Sequence, residues 1–316
     1  MCNTIATLIE SMYYMNTGTP KPSERFYRAQ INGGWTCEKR FQEYADLIGI
    51  DHLPGFMMFT RTAPQFANGN QMQYVCVFIH NTPHQLATIA NQLLRVPYYY
   101  EVYCVSYSTD HNNWNLYQNY EYGPQNQNLT ANICQPDFTF TRFDSGLNAF
   151  VPETQQNFLS NFAVTNWRVG RTIRSTLAEY TNYFGQLNFD QMQALYAERF
   201  FLQVLLRQYS APMQDFDIFV SINGSWHLSE LKQKDANVNG GIRRFGWDAH
   251  RLALYLYVIH HTGFGGTYII SELNNQQQRA HLQWLCITIE DMLQNLNWGG
   301  VRNGTLMLPA TSFNVL

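Results

Sequence analysis

The sequence is poor in charge and has almost no lysine. Only 14% of its 316 residues are charged, against about a quarter in ordinary soluble domains. Four of its basic residues are lysines and the rest are arginines, and the formal net charge is −3. This balance argues against a basic nucleic-acid-binding domain and against an acidic disordered tail.

Segments that direct a chain to a membrane are also missing. No run of 18 apolar residues occurs, so we expect no transmembrane helix and no membrane partner. The first residues lack a basic segment followed by a long apolar stretch, so a secretory signal peptide is not expected. The six cysteines form no C-x-x-C pair, and their spacing does not indicate a disulfide framework. We therefore expect synthesis in a reducing cytoplasm.

Motifs for common catalytic and metal sites are absent from the pattern. The nine histidines do not fall at metal-ligand spacing, and no G-x-S-x-G occurs. Gly263-Phe264-Gly265-Gly266 runs from a predicted helix to a predicted strand, whereas phosphate-binding glycine loops run from strand to helix. We therefore expect no bound cofactor, apart from Mg²⁺ under the nuclease hypothesis below, and enzymatic activity stays uncertain.

Uncharged polar and aromatic residues take the place of the missing charges. The chain has 29 Asn, 25 Gln, 20 Tyr and 21 Phe. Protein interfaces are likewise depleted in Lys, Glu and Asp and enriched in aromatic residues and Arg. Such a composition favours a protein that covers its surface with copies of itself, while a secreted or crystal-prone protein is the plainer alternative.

In size and composition the chain resembles the capsid proteins of small double-stranded RNA viruses of the partitivirus type. That resemblance implies a structural protein that self-assembles into a closed icosahedral shell, with copies of itself and packaged RNA as partners. It also implies a location in the virion after synthesis in the host cytoplasm. This is our first functional hypothesis.

Helical periodicity is the commonest local signal. It predicts helices over residues 37–48, 84–94, 165–184, 189–208, 247–261 and 275–296. Shorter apolar runs predict strands over residues 73–79, 98–108, 137–142, 215–222, 225–231 and 266–271. The predicted fold class is α+β and α-rich, a single large body of long helices with a few short antiparallel strands.

The domain prediction is one assembly domain over residues 1–316, with a possible internal boundary near 145–155. Residues 109–136 are rich in Asn, Gln and Tyr and predict a long, protruding polar loop. A loop of that length is usually functional or disordered. It is interpreted either as an arm that contacts a neighbouring subunit or as a plain surface loop.

The sharpest local pattern lies between residues 217 and 232. Asp217 occupies one predicted strand, Asn223-Gly224 forms a hairpin turn, and Glu230-Leu231-Lys232 lies on the next strand. The i, i+2 spacing places Glu230 and Lys232 on one face. This pattern resembles the PD-(D/E)XK nuclease family, although Phe216 replaces the proline, and the eight or so residues before Asp217 are too few for the strand that precedes it there.

The nuclease resemblance assigns roles to these side chains. It implies that Asp217 and Glu230 bind Mg²⁺ and that Lys232 polarises the phosphate or the attacking water. Glu198, on the preceding predicted helix, matches an accessory acid of many members. The alternative is a structural hairpin with an exposed Glu–Lys pair.

A second resemblance is to the ribosome-inactivating N-glycosidases. The Tyr-bearing segment 102–107, Ala197-Glu198-Arg199-Phe200 and Ser225-Trp226 look like parts of their motifs. That family needs Glu and Arg one helical turn apart, and here Glu198 and Arg199 are adjacent. The resemblance implies adenine removal as a third hypothesis.

Two arginine groups are candidates for contacts with nucleic acid or another subunit. Arg168, Arg171 and Arg174 recur every three residues along a predicted helix, and Arg243-Arg244 follow two glycines in a predicted loop. Arginine binds phosphates and carboxylates through paired donors. A solvated surface is the alternative for both groups.

Overall fold

The structure is a computed structural model. It describes residues 2–16, 37–63, 72–122, 129–164, 176–185, 187–210, 213–275, 280–296 and 304–316.

The helices are α1 (Ile5–Asn16), α2 (37–48), α3 (Ala87–Leu93), α4 (Gln155–Leu159), α5 (Leu177–Phe184), α6 (Phe189–Phe200), α7 (Ala249–Thr262) and α8 (Ile289–Asn295). A π-helical turn, Phe201–Leu205, extends α6, and short 3-10 helices cover Pro83–Leu86, His111–Asn113 and Ala310–Ser312. The strands up to the middle of the chain are β1 (His52–Thr60), β2 (Tyr74–Ile79), β3 (Tyr99–Tyr107), β4 (Asn115–Tyr122), β5 (Leu129–Gln135), β6 (Phe138–Asp144), β7 (Ala149–Glu153), β8 (Ala163–Val164) and β9 (Tyr209–Ser210). The later strands are β10 (Met213–Ile222), β11 (Ser225–Asp235), β12 (Asn237–Asn239), β13 (Ile242–Asp248), β14 (Gly265–Leu273), β15 (His281–Thr288), β16 (Thr305–Pro309) and β17 (Asn314–Val315).

The chain divides into two compact units. The first comprises residues 1–31, 58–88 and 98–214, and the second comprises residues 32–57, 89–97 and 215–316. Residues 145–155 lie inside the first unit. In the described ranges, no helix has the length and apolar character needed to cross a membrane.

The first unit has a mixed sheet and a helical side. Strand β3 pairs with β2 in parallel and with β6 antiparallel, and β7 continues the sheet beyond β6. Helix α1 packs on α5, α6 and β5. A disulfide joins Cys2 to Cys134 and so ties the start of α1 to β5, against the expectation of no disulfide framework, while four other cysteines are free and buried.

The second unit is built on a mixed sheet in the order β1-β10-β11-β14-β15-β17. Strands β10 and β11 form an antiparallel hairpin, β14 runs parallel to β11, and β15 runs antiparallel to β14. Helix α7 lies on the crossover between β11 and β14, as parallel pairing requires. Phe41 and Ala45 of α2 pack on Ile218, Leu231 and Trp284 of the sheet.

The α-rich prediction is wrong. Strands hold more residues than helices, and each unit contains a mixed sheet with parallel as well as antiparallel pairs. The clearest error is the helix predicted over 275–296. Residues 276–279 lie outside the described part, and of the described residues 281–288 form strand β15 and Ile289–Asn295 are helical. A short apolar run such as Trp284–Thr288 has no period that separates a buried strand from a buried helix, and pairing with β14 decides the outcome.

The loop predicted over 109–136 is also a different structure. Strands β4 and β5 pair antiparallel within it, and residues 123–128 lie outside the described part. The buried side chains of this segment, among them Tyr120 and Ile133, point toward the interior of the first unit. The Cys134 amide donates a hydrogen bond to Ser11 Oγ at 3.1 Å. Cross-strand pairing and this packing stabilise a segment whose polar composition indicated a loop.

Other local predictions are confirmed. The predicted strands are all present, the Asn223-Gly224 turn has positive φ at both residues, and helices cover 37–48 and Ala249–Thr262. Two long helices were predicted over 165–184 and 189–208. Residues 165–175 lie outside the described part, and the second helix becomes a π-turn after Phe200.

Candidate functional site

The β10–β11 hairpin brings two acidic side chains together in the second unit. Its register pairs Ile218 with Ser229, so Asp217 and Glu230 are the next opposed residues and share one face of the sheet. Both are buried, with 5% of the Asp217 side chain and none of Glu230 exposed. Asp217 Oδ2 accepts a hydrogen bond from the amide of Leu231 at 2.7 Å.

Lys232 lies on the same face and contacts both carboxylates. Its Nζ atom is 2.6 Å from Glu230 Oε1 and 3.7 Å from Asp217 Oδ2. Glu230 Oε1 is buried and accepts no well-directed hydrogen bond, so the ion pair with Lys232 is its main compensation. The Lys232 side chain is 37% exposed and connects the buried pair to solvent.

Two residues that the sequence analysis missed complete the cluster. Arg251 of α7 donates to Glu230 Oε2 from Nη2 at 2.7 Å and from Nε at 3.2 Å, and its Nη2 lies 3.6 Å from Asp217 Oδ1. Its Nη1 donates to Asp215 Oδ1 at 2.6 Å. Asp215, two residues before Asp217, lies on the same face of β10 and is 57% exposed.

The start of α7 places Arg251 over the strands. Asp248 caps the helix, accepting hydrogen bonds from the amides of His250 and Arg251, so Arg251 lies in the first turn. One turn later, Tyr255 donates to the Ser229 carbonyl at 3.3 Å and accepts from the Asp217 amide at 3.5 Å. The helix is therefore attached to both strands that carry the carboxylates.

Burial and neighbouring charges shift the ionisation of the cluster. Burial raises the pKa of Asp217 to about 7, because the favourable charges of Lys232 and Arg251 do not offset the desolvation. Burial lowers the pKa of Lys232, but Asp217 and Glu230 together outweigh it and the net shift is upward. Lys232 and Arg251 are therefore cationic at neutral pH.

The donor set fits a divalent cation held by two carboxylates. Mg²⁺ commonly uses one or two carboxylates and keeps water or substrate phosphate in its other positions. Asp217 and Glu230 are opposed and on one face, as such a site needs, and a cation would compete there with Lys232 and Arg251. Among the described residues there is no cluster of three or more His, Cys, Asp and Glu side chains arranged for a metal, so the fit rests on these two.

The other predicted site residues lie elsewhere. Glu198 is on α6 in the first unit, and the third acid of the cluster is Asp215 instead. Arg243 and Arg244 lie on strand β13 rather than on a loop, because β13 pairs with β12 and β16. Arg243 forms an ion pair with the buried Glu272. Arg168, Arg171 and Arg174 lie outside the described residues.

The parts of the N-glycosidase resemblance are divided between the two units. Tyr103, Glu198 and Arg199 belong to the first unit, and Ser225-Trp226 begins β11 in the second. The phenol of Tyr103 is buried and donates a hydrogen bond to Glu101. No observation in the described residues favours adenine chemistry at these positions.

The sequence contains one feature that could have identified Arg251 as a member of the cluster. Arg251 is the only Asp, Glu, Lys or Arg in the 14 residues of α7. A single charge on an otherwise apolar helix that packs on a sheet indicates a buried partner. Its partners, however, are 21 to 36 residues away along the chain.

No known protein family, curated protein or solved structure matches this chain.

Proposed function

We propose that the protein is a metal-dependent nuclease of the PD-(D/E)XK type that hydrolyses phosphodiester bonds with Asp217, Glu230 and Lys232. The observation that carries the proposal is the buried, directly opposed Asp217 and Glu230, with the Lys232 ammonium group in contact with both. Burying like charges is costly unless they are compensated. Such arrangements are frequent at active sites.

The order of elements in the second unit supports the same proposal. The resemblance requires a strand before the one that carries Asp217, and the preceding residues in sequence are too few to form it. Strand β1 supplies this neighbour from a distant part of the chain. Ser221 N donates to Asp51 O at 2.8 Å and Gly55 lies against Phe216 and Asp217, so β1 and β10 run antiparallel.

Asp217 and Glu230 would hold the Mg²⁺ ion. A bound divalent cation lowers the pKa of its water and neutralises charge that develops on a phosphate. Lys232 is the partly exposed cation of the cluster, and its ammonium group would donate to a phosphate oxygen or orient the attacking water. Asp217 must be ionised to bind a cation, and a pKa near 7 makes this step sensitive to pH.

A cleavage assay with a matched control tests the proposal. The full chain is incubated with end-labelled DNA and RNA, single- and double-stranded, in Mg²⁺ or in EDTA. We expect cleavage only with Mg²⁺, and a loss of at least 100-fold in Glu230→Gln. Glu272→Gln is the control, because Glu272 is also buried and paired with an arginine but lies on β14 opposite Lys234 and is not a member of the cluster.

Two results would contradict the nuclease proposal. One is no Mg²⁺-dependent cleavage of any of the four substrates by folded protein. The other is an equal loss of cleavage in Glu230→Gln and Glu272→Gln, because that would indicate a general effect on the fold or a contaminating enzyme.

Self-assembly into a viral shell is a second proposal, and one structural observation favours it. Several large apolar side chains are exposed on the isolated chain, among them Leu47 at 82% and Val164 at 76%. Together with the scarcity of lysine, these surfaces suit contacts between copies. Size-exclusion chromatography and negative-stain microscopy distinguish a large closed particle from a small soluble species.

A further inference from the structure

Arg251 contacts the same carboxylate oxygen atoms that a bound cation would need. Its guanidinium group contacts Asp217 Oδ1 at 3.6 Å and Glu230 Oε2 at 2.7 Å. Each remaining oxygen of the two acids also has a partner, since Glu230 Oε1 contacts Lys232 and Asp217 Oδ2 accepts from Leu231 N. A cation that binds both acids would compete for these oxygens with the positive charges of Lys232 and Arg251.

Arg251 is the group with a second position available to it. Both ion-pair partners of Lys232 belong to the buried pair, whereas Arg251 also contacts Asp215 outside it. The Leu231 amide belongs to the backbone of β11 and cannot withdraw without disturbing the hairpin. Arg251 sits at the start of a helix, and its outer contact is Asp215, which is 57% exposed. Its planar fork also matches phosphate oxygens, which accept paired hydrogen bonds from arginine.

We infer that Arg251 occupies the cation position in the free protein and moves to a substrate phosphate when nucleic acid binds. This inference rests on the proposed nuclease function and concerns its regulation. The buried charge of Glu230 passes from the guanidinium group to the metal ion, and the guanidinium charge passes to the phosphate, so no buried charge is left uncompensated. Asp215 loses its arginine partner, but its side chain is 57% exposed and is solvated by water. Cation and nucleic acid therefore bind cooperatively, and each raises the affinity for the other by the same factor.

Mn²⁺ binding, followed by the electron paramagnetic resonance signal of the free ion, tests this without measuring activity. The full-length wild-type chain is titrated alone and with a short phosphorothioate oligonucleotide that resists cleavage. We expect the oligonucleotide to raise the Mn²⁺ affinity of the wild type at least tenfold. The same titration of Glu230→Gln with the oligonucleotide measures the Mn²⁺ that the oligonucleotide itself binds, and this amount is subtracted from the wild-type result.

Arg251→Gln is the decisive variant. Glutamine can still donate to a carboxylate but carries no charge, so we expect its Mn²⁺ affinity without oligonucleotide to rise about tenfold over the wild type. In this variant, the oligonucleotide is expected to raise the Mn²⁺ affinity only slightly further. Circular dichroism checks that the variant folds, and if it does not, the cooperativity measured on the wild type alone decides.

The results separate this inference from the proposed function. Equal or weaker Mn²⁺ binding by folded Arg251→Gln overturns the inference, as does wild-type affinity that the oligonucleotide leaves unchanged. If the wild type still cleaves nucleic acid with Mg²⁺ in that case, the nuclease proposal stands and only the role of Arg251 is wrong. If neither protein binds Mn²⁺ under any condition and no cleavage occurs, both fail.

Discussion

Gly55 is the position where the sheet that carries Asp217 tolerates a side chain least. A Cβ at residue 55 would overlap the carbonyl oxygen of Phe216 and would lie 2.5 Å from the carbonyl carbon of Asp217, closer than the 3.0 Å that real Cβ atoms keep. Both obstacles are backbone atoms, so no side-chain rotation relieves them. Gly55→Ala must therefore separate β1 from β10 and shift the backbone at Asp217.

The loss of stability expected for Gly55→Ala depends on whether its Cβ meets backbone or side-chain atoms. Overpacking a well-filled site costs about 1–3 kcal/mol, and a backbone obstacle belongs at or above the upper end. A loss of about 3 kcal/mol in the free energy of unfolding lowers the melting temperature by about 6–12 °C. In the protein that remains folded, we also expect Mg²⁺-dependent cleavage to fall, because Asp217 is displaced from Glu230.

Gly266→Ala is the matched control on β14. Its Cβ would overlap Ile289 Cδ1 and would lie 3.0 Å from Ile289 Cγ1 and 3.1 Å from Ile259 Cδ1, so the three nearest atoms all belong to side chains. These groups can rotate, so we expect a cost of about 1 kcal/mol and a melting temperature lower by about 2–4 °C. Differential scanning calorimetry measures both variants. A Gly55→Ala protein that melts as high as Gly266→Ala would refute the reasoning.

Three further perturbations have defined outcomes. The pKa of Asp217 is raised from 3.8 to about 7, so the free energy of unfolding of the wild type should fall relative to that of Asp217→Asn as the pH rises from about 4 to about 7, with no further change above. Urea unfolding in EDTA measures both proteins across this range. A difference between them that does not change with pH would contradict the prediction. Cys2→Ser should lower the free energy of unfolding of the first unit by about 2–4 kcal/mol in oxidising buffer and should have little effect in dithiothreitol, as calorimetry in the two buffers would reveal. Asn188→Ala removes the capping box of α6, in which Asn188 Oδ1 accepts from the Gln191 amide at 2.9 Å, and should cost about 1 kcal/mol by urea unfolding, whereas Asn188→Ser should cost less.

The nuclease-like side chains were readable from the sequence because they follow local rules. Alternation along a strand places Glu230 and Lys232 on one face, and the two-residue turn at Asn223-Gly224 sets the register of the hairpin. Asp217 therefore faces Glu230 as a consequence of residues less than 15 positions apart.

The errors share one cause. The apolar run at residues 281–288 fits a helix or a strand, and the polar 109–136 segment fits a loop or a hairpin. Only a partner strand decides between these structures. The same holds for β1, whose place beside β10 depends on residues more than 150 positions away. Predicted strand content was too low because strand pairing of this kind leaves little local trace.

By itself the sequence determined the hairpin, its turn, and the alignment of Asp217, Glu230 and Lys232, since these depend on backbone geometry over short distances. Only the tertiary structure decided that the cluster is buried, that β1 flanks it, and that Asp215 and Arg251 complete its charge balance. Those features come from the packing of α7 and β1 on the strands, where the cost of burying Glu230 selects a cationic partner that no short-range pattern specifies.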